Sequence, residues 1–247
     1  MTSEDPAGGG PGRPGAPDEA EAPDEAERPA RRRDPVARLL ARSGNLEYDR
    51  VLFFSDAVFA IAITVLAIDL RVPVGVSVQS GQELHKAIPG IESFVISFVV
   101  IGLFWLAHHS MFRFIAAFDR PLMLLNLLLL GTIAFLPFPT AVLGASSTSQ
   151  APAVIFYAAC VSATGLVEVA AWLWATRPGS RLGAPGAAQA RLSFLLQAAR
   201  SPLVFLLSIP IAVVSPTAAS FFWIALLPSA MILRRLAPLP GRQEPPG

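Results

Sequence analysis

Cysteine is nearly absent from this chain: Cys160 is the single one in 247 residues. It can form neither an intrachain disulfide nor a cysteine metal cluster, and its apolar surroundings suit a small buried hydrophobe. Histidine is almost as scarce, with three, and His85 stands apart from the adjacent pair His108 and His109. Neighbouring histidines project about 100° apart on a helix, and no HExxH or third ligand accompanies them, so no metal and no cofactor is expected. Charge is thin as well: 15% of residues are charged, against about a quarter in soluble domains, and 53% are hydrophobic. Mean hydropathy is +0.54, the range of a multi-spanning membrane protein. No basic start runs directly into an apolar stretch, so no cleavable signal is expected. No nucleophile–base pair stands out, which argues against an enzyme, and nothing suggests a nucleic-acid partner.

Charge that is present is unevenly placed. Residues 1–34 hold nine of the eighteen acids among Pro, Gly and Ala, and almost no large apolar side chain. Such a segment cannot bury enough surface to fold; residues 1–45 are expected to be a disordered cytoplasmic tail, 46–236 the membrane domain and 237–247 a short cytoplasmic tail.

A helix needs about 20 mostly apolar residues to cross the hydrocarbon core. Four segments qualify clearly: 50–70, 88–111, 121–143 and 152–175. Pro202, Pro210, Pro216 and Pro228 interrupt the apolar stretch 193–233; a turn at 215–217 would give spans 194–214 and 217–234, with a single kinked span or a re-entrant hairpin as alternatives. Six spans place all arginines except Arg71 on one side of the bilayer, and Lys86 joins Arg71 on the other. Since cytoplasmic flanks collect Lys and Arg, both termini are expected in the cytoplasm. Residues 178–190, rich in Gly, Pro and Ala, read as a flexible connection.

Several polar residues fall inside these spans. Ser55 and Asp56 lie near the start of the first, Trp105, His108 and His109 end the second, Asn126 lies early in the third and Glu168 well inside the fourth. An Asp at mid-helix in a bilayer costs roughly 2.5–3.5 kcal/mol on insertion scales, less toward the ends, so Asp56 should face protein or water. It is either a helix-start device or the acceptor of a packing network fed by Trp105, His108 and Asn126. With Ala57 as the zero direction, Ile61 falls at about +40°, Thr64 at about −20° and Ile68 at about +20°. These four form one narrow stripe, whereas Asp56 at about −100° and Ser55 at about 160° lie off it.

Arg50, Phe54, Ser55 and Asp56 spell R-x-x-x-F-S-D, followed by AVFAIAITVLAIDL; FWLAHHSMFRFI (104–115) and LNLLLLGTIAFLPFPTAVLG (125–144) continue the pattern. This resembles the transmembrane protein 175 family of potassium channels, whose prokaryotic members carry one six-span unit and whose animal members carry two. The resemblance implies an all-α polytopic membrane protein with six transmembrane helices, assembling as a homotetramer in the plasma membrane of a prokaryote. The first helix would line the pore, and the permeant partner would be potassium. Ile61 would then form a hydrophobic constriction and Thr64 a hydroxyl linked to selectivity. Arg50, Phe54, Ser55 and Asp56 would join a structural network with Trp105, His108 and Asn126. No TVGYG filter is present, so rings of backbone carbonyls are not the expected basis of selectivity. The alternative is an ion- or proton-coupled secondary transporter that uses intramembrane carboxylates such as Glu168.

Overall fold

The computed structural model describes the backbone of residues 35–68, 70, 81–146 and 150–226. The chain divides into two units, 1–41 and 42–247, and only helical residues from Pro35 onward are described in the first. The expected tails therefore lie outside the described residues, except that residues 35–45, assigned by sequence to the N-terminal tail, are helical backbone. Proline suits the first turn of a helix, and the Ala, Leu and Arg that follow are strong helix formers.

Helices follow in the order α1 (Pro35–Ile68), α2 (Gly81–Phe112), α3 (Arg120–Phe135), α4 (Pro137–Ser146), α5 (Ala151–Ala175), α6 (Ala187–Val214) and α7 (Pro216–Phe222), with a 3-10 turn at Trp223–Ala225. Among the described residues there is no β-strand, only one antiparallel bridge between Ile115 and Gly183. Five stretches are long and apolar enough to cross a membrane: Tyr48–Ile68, Ile88–Phe112, Arg120–Ser146, Ala151–Ala175 and Ala187–Val214. The expected sixth span, 217–234, enters the described residues only through α7 and its turn.

Polarity is distributed as lipid requires. Leu124, Leu127, Leu128, Phe138, Leu207 and Val213 are exposed, while Ser55, Ser97, His108, Asn126, Thr140 and Glu168 are buried. In hydrocarbon an unpaired polar group costs several kcal/mol, so hydroxyl, amide and imidazole groups turn inward and find partners.

The third span is two helices because of its prolines. Pro137 and Pro139 cannot donate backbone hydrogen bonds, so the helix breaks at Leu136, whose N–H reaches back only three residues, to Ile133 O at 3.1 Å. The Leu136 carbonyl is taken by both the N–H (3.1 Å) and the hydroxyl (2.8 Å) of Thr140. Thr140 also meets Ser97 of α2 at 2.7 Å, and Ser97 meets the Tyr157 hydroxyl of α5 at 2.9 Å. Ser97 donates its proton to the Tyr157 hydroxyl, so the Thr140 hydroxyl is the donor to Ser97 and shares its proton with the Leu136 carbonyl. Three helices are thereby joined by a single directed chain.

The α5–α6 packing depends on a close approach. A Cβ at Gly165 would stand 2.6 Å from Pro202 Cδ, so only glycine lets the two backbones meet there. The helix α6 starts at Ala187, seven residues before the expected boundary, because Gly186 takes the left-handed conformation (φ 89°) and hands over to a run of good helix formers. Arg191 and Arg200, assigned by the arginine count to the cytoplasmic side between the fourth and fifth spans, are inside α6, Arg200 within the expected 194–214 span itself. The 178–190 segment is also more tightly held than its composition suggests. Ala116 N donates to Leu182 O at 2.7 Å and Ala184 N to Phe114 O at 2.8 Å, and Leu182 is buried.

Candidate functional site

Two faces of α1 behave oppositely. Ser55, Phe59, Ala62 and Leu66, spaced by four, three and four residues, are buried, each at most 2% exposed. They form the stripe that packs on the rest of the chain. Ala57, Ile61, Thr64 and Ile68 are all exposed on the other side, Ile61 by 62% and Ile68 by 75%. The stripe expected from helix geometry is thus left free by the chain's own packing.

What holds α1 in that rotation is a hydrogen-bond chain. Ser55 Oγ donates to Val51 O at 2.8 Å and accepts from Asn126 Nδ2 at 3.2 Å. Asn126 Oδ1 lies 3.0 Å from His108 Nε2. An amide oxygen can only accept, so the His108 proton sits on Nε2 and the chain runs His108 to Asn126 to Ser55 to Val51. His108 is fixed between the Phe59 and Phe112 rings, with centroids 5.3 and 4.4 Å away. Three spans therefore meet through one serine, one asparagine and one histidine, each at most 3% exposed.

Asp56 is separate from that chain. Its Oδ1 accepts from Trp105 Nε1 at 2.9 Å, and the indole stacks on His109 at 5.8 Å. The carboxylate is exposed in the single chain, so Asp56 is not a buried acid. Arg50 and Phe54, expected beside it, are not brought into the network. Both are exposed, and Arg50 makes no hydrogen bond or ion pair among the described residues. Helix geometry gives the reason: Arg50 falls about 20° from Ala57, in line with the free stripe. Thr64 donates to Ile61 O at 2.8 Å, which keeps its hydroxyl against its own helix with lone pairs outward.

Glu168 is 1% exposed within α5, in reach of the Arg200 charge on α6, and its Oε1 has no hydrogen-bond partner among the described residues. It lies away from the α1 stripe, on a different pair of helices. Among the described residues no three His, Cys, Asp or Glu side chains gather as a metal site.

One cluster escaped the sequence reading. Asp119 caps α3, accepting from Leu122 N at 2.9 Å. Its two oxygens receive Trp174 Nε1 at 3.2 and 3.1 Å, and Oδ2 receives Arg177 Nη2 at 3.3 Å. The guanidinium lies over the Trp174 ring at 4.1 Å. The signal was legible: an Asp two residues before Pro121, in D-R-P, is a helix-start pattern.

A family model described as endosomal/lysosomal potassium channel TMEM175 matches residues 50–137, a segment that contains the α1 stripe, Asp56, Trp105, His108 and Asn126. A protein of Streptomyces collinus named as a potassium channel is 38% identical over 168 residues, covering 64% of this chain and 80% of that one. One of Chamaesiphon minutus, also named as a potassium channel, is 39% identical over 100 residues, covering 39% of this chain and 49% of that one. Among solved structures, the crystal structure of a lysosomal potassium-selective channel TMEM175 homologue from Chamaesiphon minutus superposes with a TM-score of 0.64. Its identity is 26%, over 78% of this chain and 98% of that one. With a relative matched over four-fifths of its length and the same helical architecture, the chain belongs to the TMEM175 family.

Proposed function

We propose that this protein is a passive potassium-conducting channel, an ion channel rather than an enzyme, in which four copies place α1 around a common axis. The observation that carries the proposal is the α1 stripe: Ala57, Ile61, Thr64 and Ile68 are exposed while the opposite face of the same helix is locked by His108, Asn126 and Ser55. A helix held so firmly with one face unused is suited to present that face to an axis. Relatives named as potassium channels supply the ion.

In this reading a ring of Ile61 side chains makes a dry constriction. Hydrophobic rings gate by expelling water, because an ion entering them loses hydration and gains no ligand. Thr64 lies one turn further along, where a ring of hydroxyl oxygens can replace part of the ion's water. Asp56, held by Trp105, fixes helix position and does not ligate the ion. The distribution of arginine supports cytoplasmic termini, and the bacterial relatives support residence in the plasma membrane of a prokaryote.

Liposomes containing purified protein and loaded with potassium test the proposal by dye-reported flux. With a protonophore present to carry the compensating charge, wild type should dissipate the gradient without a fixed stoichiometry to any second ion, and Ile61→Asn should raise the flux at least severalfold by wetting the constriction. Flux that requires a coupled ion would reject a channel. Ile61→Asn and Ile61→Ala variants that both conduct like wild type would remove Ile61 from the pore.

A further inference from the structure

We infer that Asp119 is a positioning residue for the α1 stripe, acting through Asn126. The inference rests on the channel reading above and assigns a conduction role to residues outside the expected pore and network.

The geometry is that of a latch. Asp119 sits in extended backbone (φ −111°, ψ 169°), so its carboxylate turns back onto the first turn of α3 and takes the Leu122 N–H. The same carboxylate is gripped from the end of α5 by the Trp174 indole, which spans both oxygens, and by the Arg177 guanidinium. Arg177 is itself fixed twice, by its stacking on Trp174 and by Nη1 donating to Trp174 O at 2.7 Å. One carboxylate thus sets where α3 begins, relative to α5. Leu122, whose N–H it binds, is fully buried, and Asn126 follows on the same face about 6 Å higher. A change of rotation at the α3 start is carried rigidly to Asn126, then through its amide to Ser55 and so to the rotation of Ile61 and Thr64. The bonds Ala116–Leu182 and Ala184–Phe114 hold the flanking loops together but touch neither α1 nor Asn126, whereas Phe118, next to Asp119, packs on Tyr48 of α1 at 5.5 Å, a parallel route that the Asn126→Ala background separates from the route through Asn126.

This chain of contacts makes a prediction that a merely stabilising surface contact does not. If Asp119 acts through Asn126, its removal matters only while Asn126 is present. The experiment is a double-mutant cycle on the full chain in liposomes, with potassium flux per reconstituted protein as readout. The variants are Asp119→Ala, Asn126→Ala and both together, with Asp119→Asn and Arg177→Ala alongside. Asp119→Ala should change flux about 2- to 30-fold, the span of measured long-range couplings, and should have no further effect in the Asn126→Ala background. Asp119→Asn, which still caps α3 and still accepts from Trp174, should recover most of the wild-type flux. Equal fold-changes in both backgrounds, or no change in either, would overturn the inference. If Asp119→Ala does not fold, Trp174→Phe replaces it in the cycle with the same expected pattern, whereas Arg177→Ala, which removes from the carboxylate only the bond that Asp119→Asn also loses, should stay near wild type. The cycle is read in parallel on melting temperature. A wild type that carries no flux would end the channel reading, while additive melting shifts would separately end the link between Asp119 and Asn126.

Discussion

Replacing Asn126 by alanine should lower stability more than any other single change in the network, and the structure says by how much. The side chain is 3% exposed and joins two partners that it serves differently. Ser55 loses only a donor to its lone pair and keeps its own bond to Val51 O, so its cost is small. His108 loses the acceptor for Nε2–H and, at 2% exposure, has no water to replace it. An orphaned buried donor costs about 1–3 kcal/mol, and interhelical hydrogen bonds in membranes average about 0.6 kcal/mol with a maximum near 1.7. With a modest cavity added, Asn126→Ala should cost about 2 kcal/mol and Ser55→Ala about 0.5–1 kcal/mol. At roughly 2–4 °C per kcal/mol for a chain of this size, the shift is about 4–8 °C, readable by fluorescence size-exclusion melting in detergent. The reasoning has a second arm: the pair His108→Phe with Asn126→Leu removes donor and acceptor together at similar volume. That pair should melt above Asn126→Ala, because no polar group is left stranded. An Asn126→Ala protein that melts with wild type would show the amide to be dispensable. A double variant no better than Asn126→Ala would show that cavity or shape, and not the orphaned His108 proton, sets the cost.

Two further outcomes can be checked with the same material. Gly165→Ala places a methyl group 2.6 Å from the rigid Pro202 ring, so α5 and α6 must separate at a cost of about 1–3 kcal/mol; Gly131→Ala, whose methyl meets nothing within 4 Å in the chain, is the control. Equal melting temperatures for the two variants would show that α5 and α6 can part at no cost. For Asp119, burial pushes the carboxyl up, but the Leu122 N–H, the Trp174 indole and the Arg177 guanidinium together outweigh it and hold it below the usual Asp range. Its stabilisation is then complete above the unfolded value near pH 4 and is lost as pH falls through the lower folded value, so the difference in melting between wild type and Asp119→Asn should be flat from about pH 8 to 5. A difference that already shrinks between pH 7 and pH 5 would contradict this grip.

Much of the membrane core was readable from local pattern. Length and apolarity marked the five described spans to within a few residues, except at α6, where Ala, Gln and Arg looked like a connection but are good helix formers. Arg191 and Arg200 were misplaced for the same reason: charge was read as a flank, although long side chains can leave a helix interior for its surface. The pairings Trp105–Asp56 and His108–Asn126–Ser55 follow from residues at matching depth, which sequence shows. The exclusion of Arg50 depends on rotation, and a motif written as letters hides that its first residue faces away from its sixth. Asp119 was overlooked because its partners Trp174 and Arg177 lie more than fifty residues away, at the far end of α5. The close meeting of Gly165 with Pro202 could not be seen without the paired backbone.

The two-faced character of α1 has a consequence for how such a protein can change over generations. Contacts that keep the helix in place reside on Ser55, Phe59, Ala62 and Leu66, so drift there is checked by the need to fold. Positions 57, 61, 64 and 68 contribute little to that scaffold within the chain, and new side chains can be sampled there while folding is preserved. In the proposed channel, ion preference and barrier height can therefore diverge among descendants one residue at a time, on a frame that stays the same.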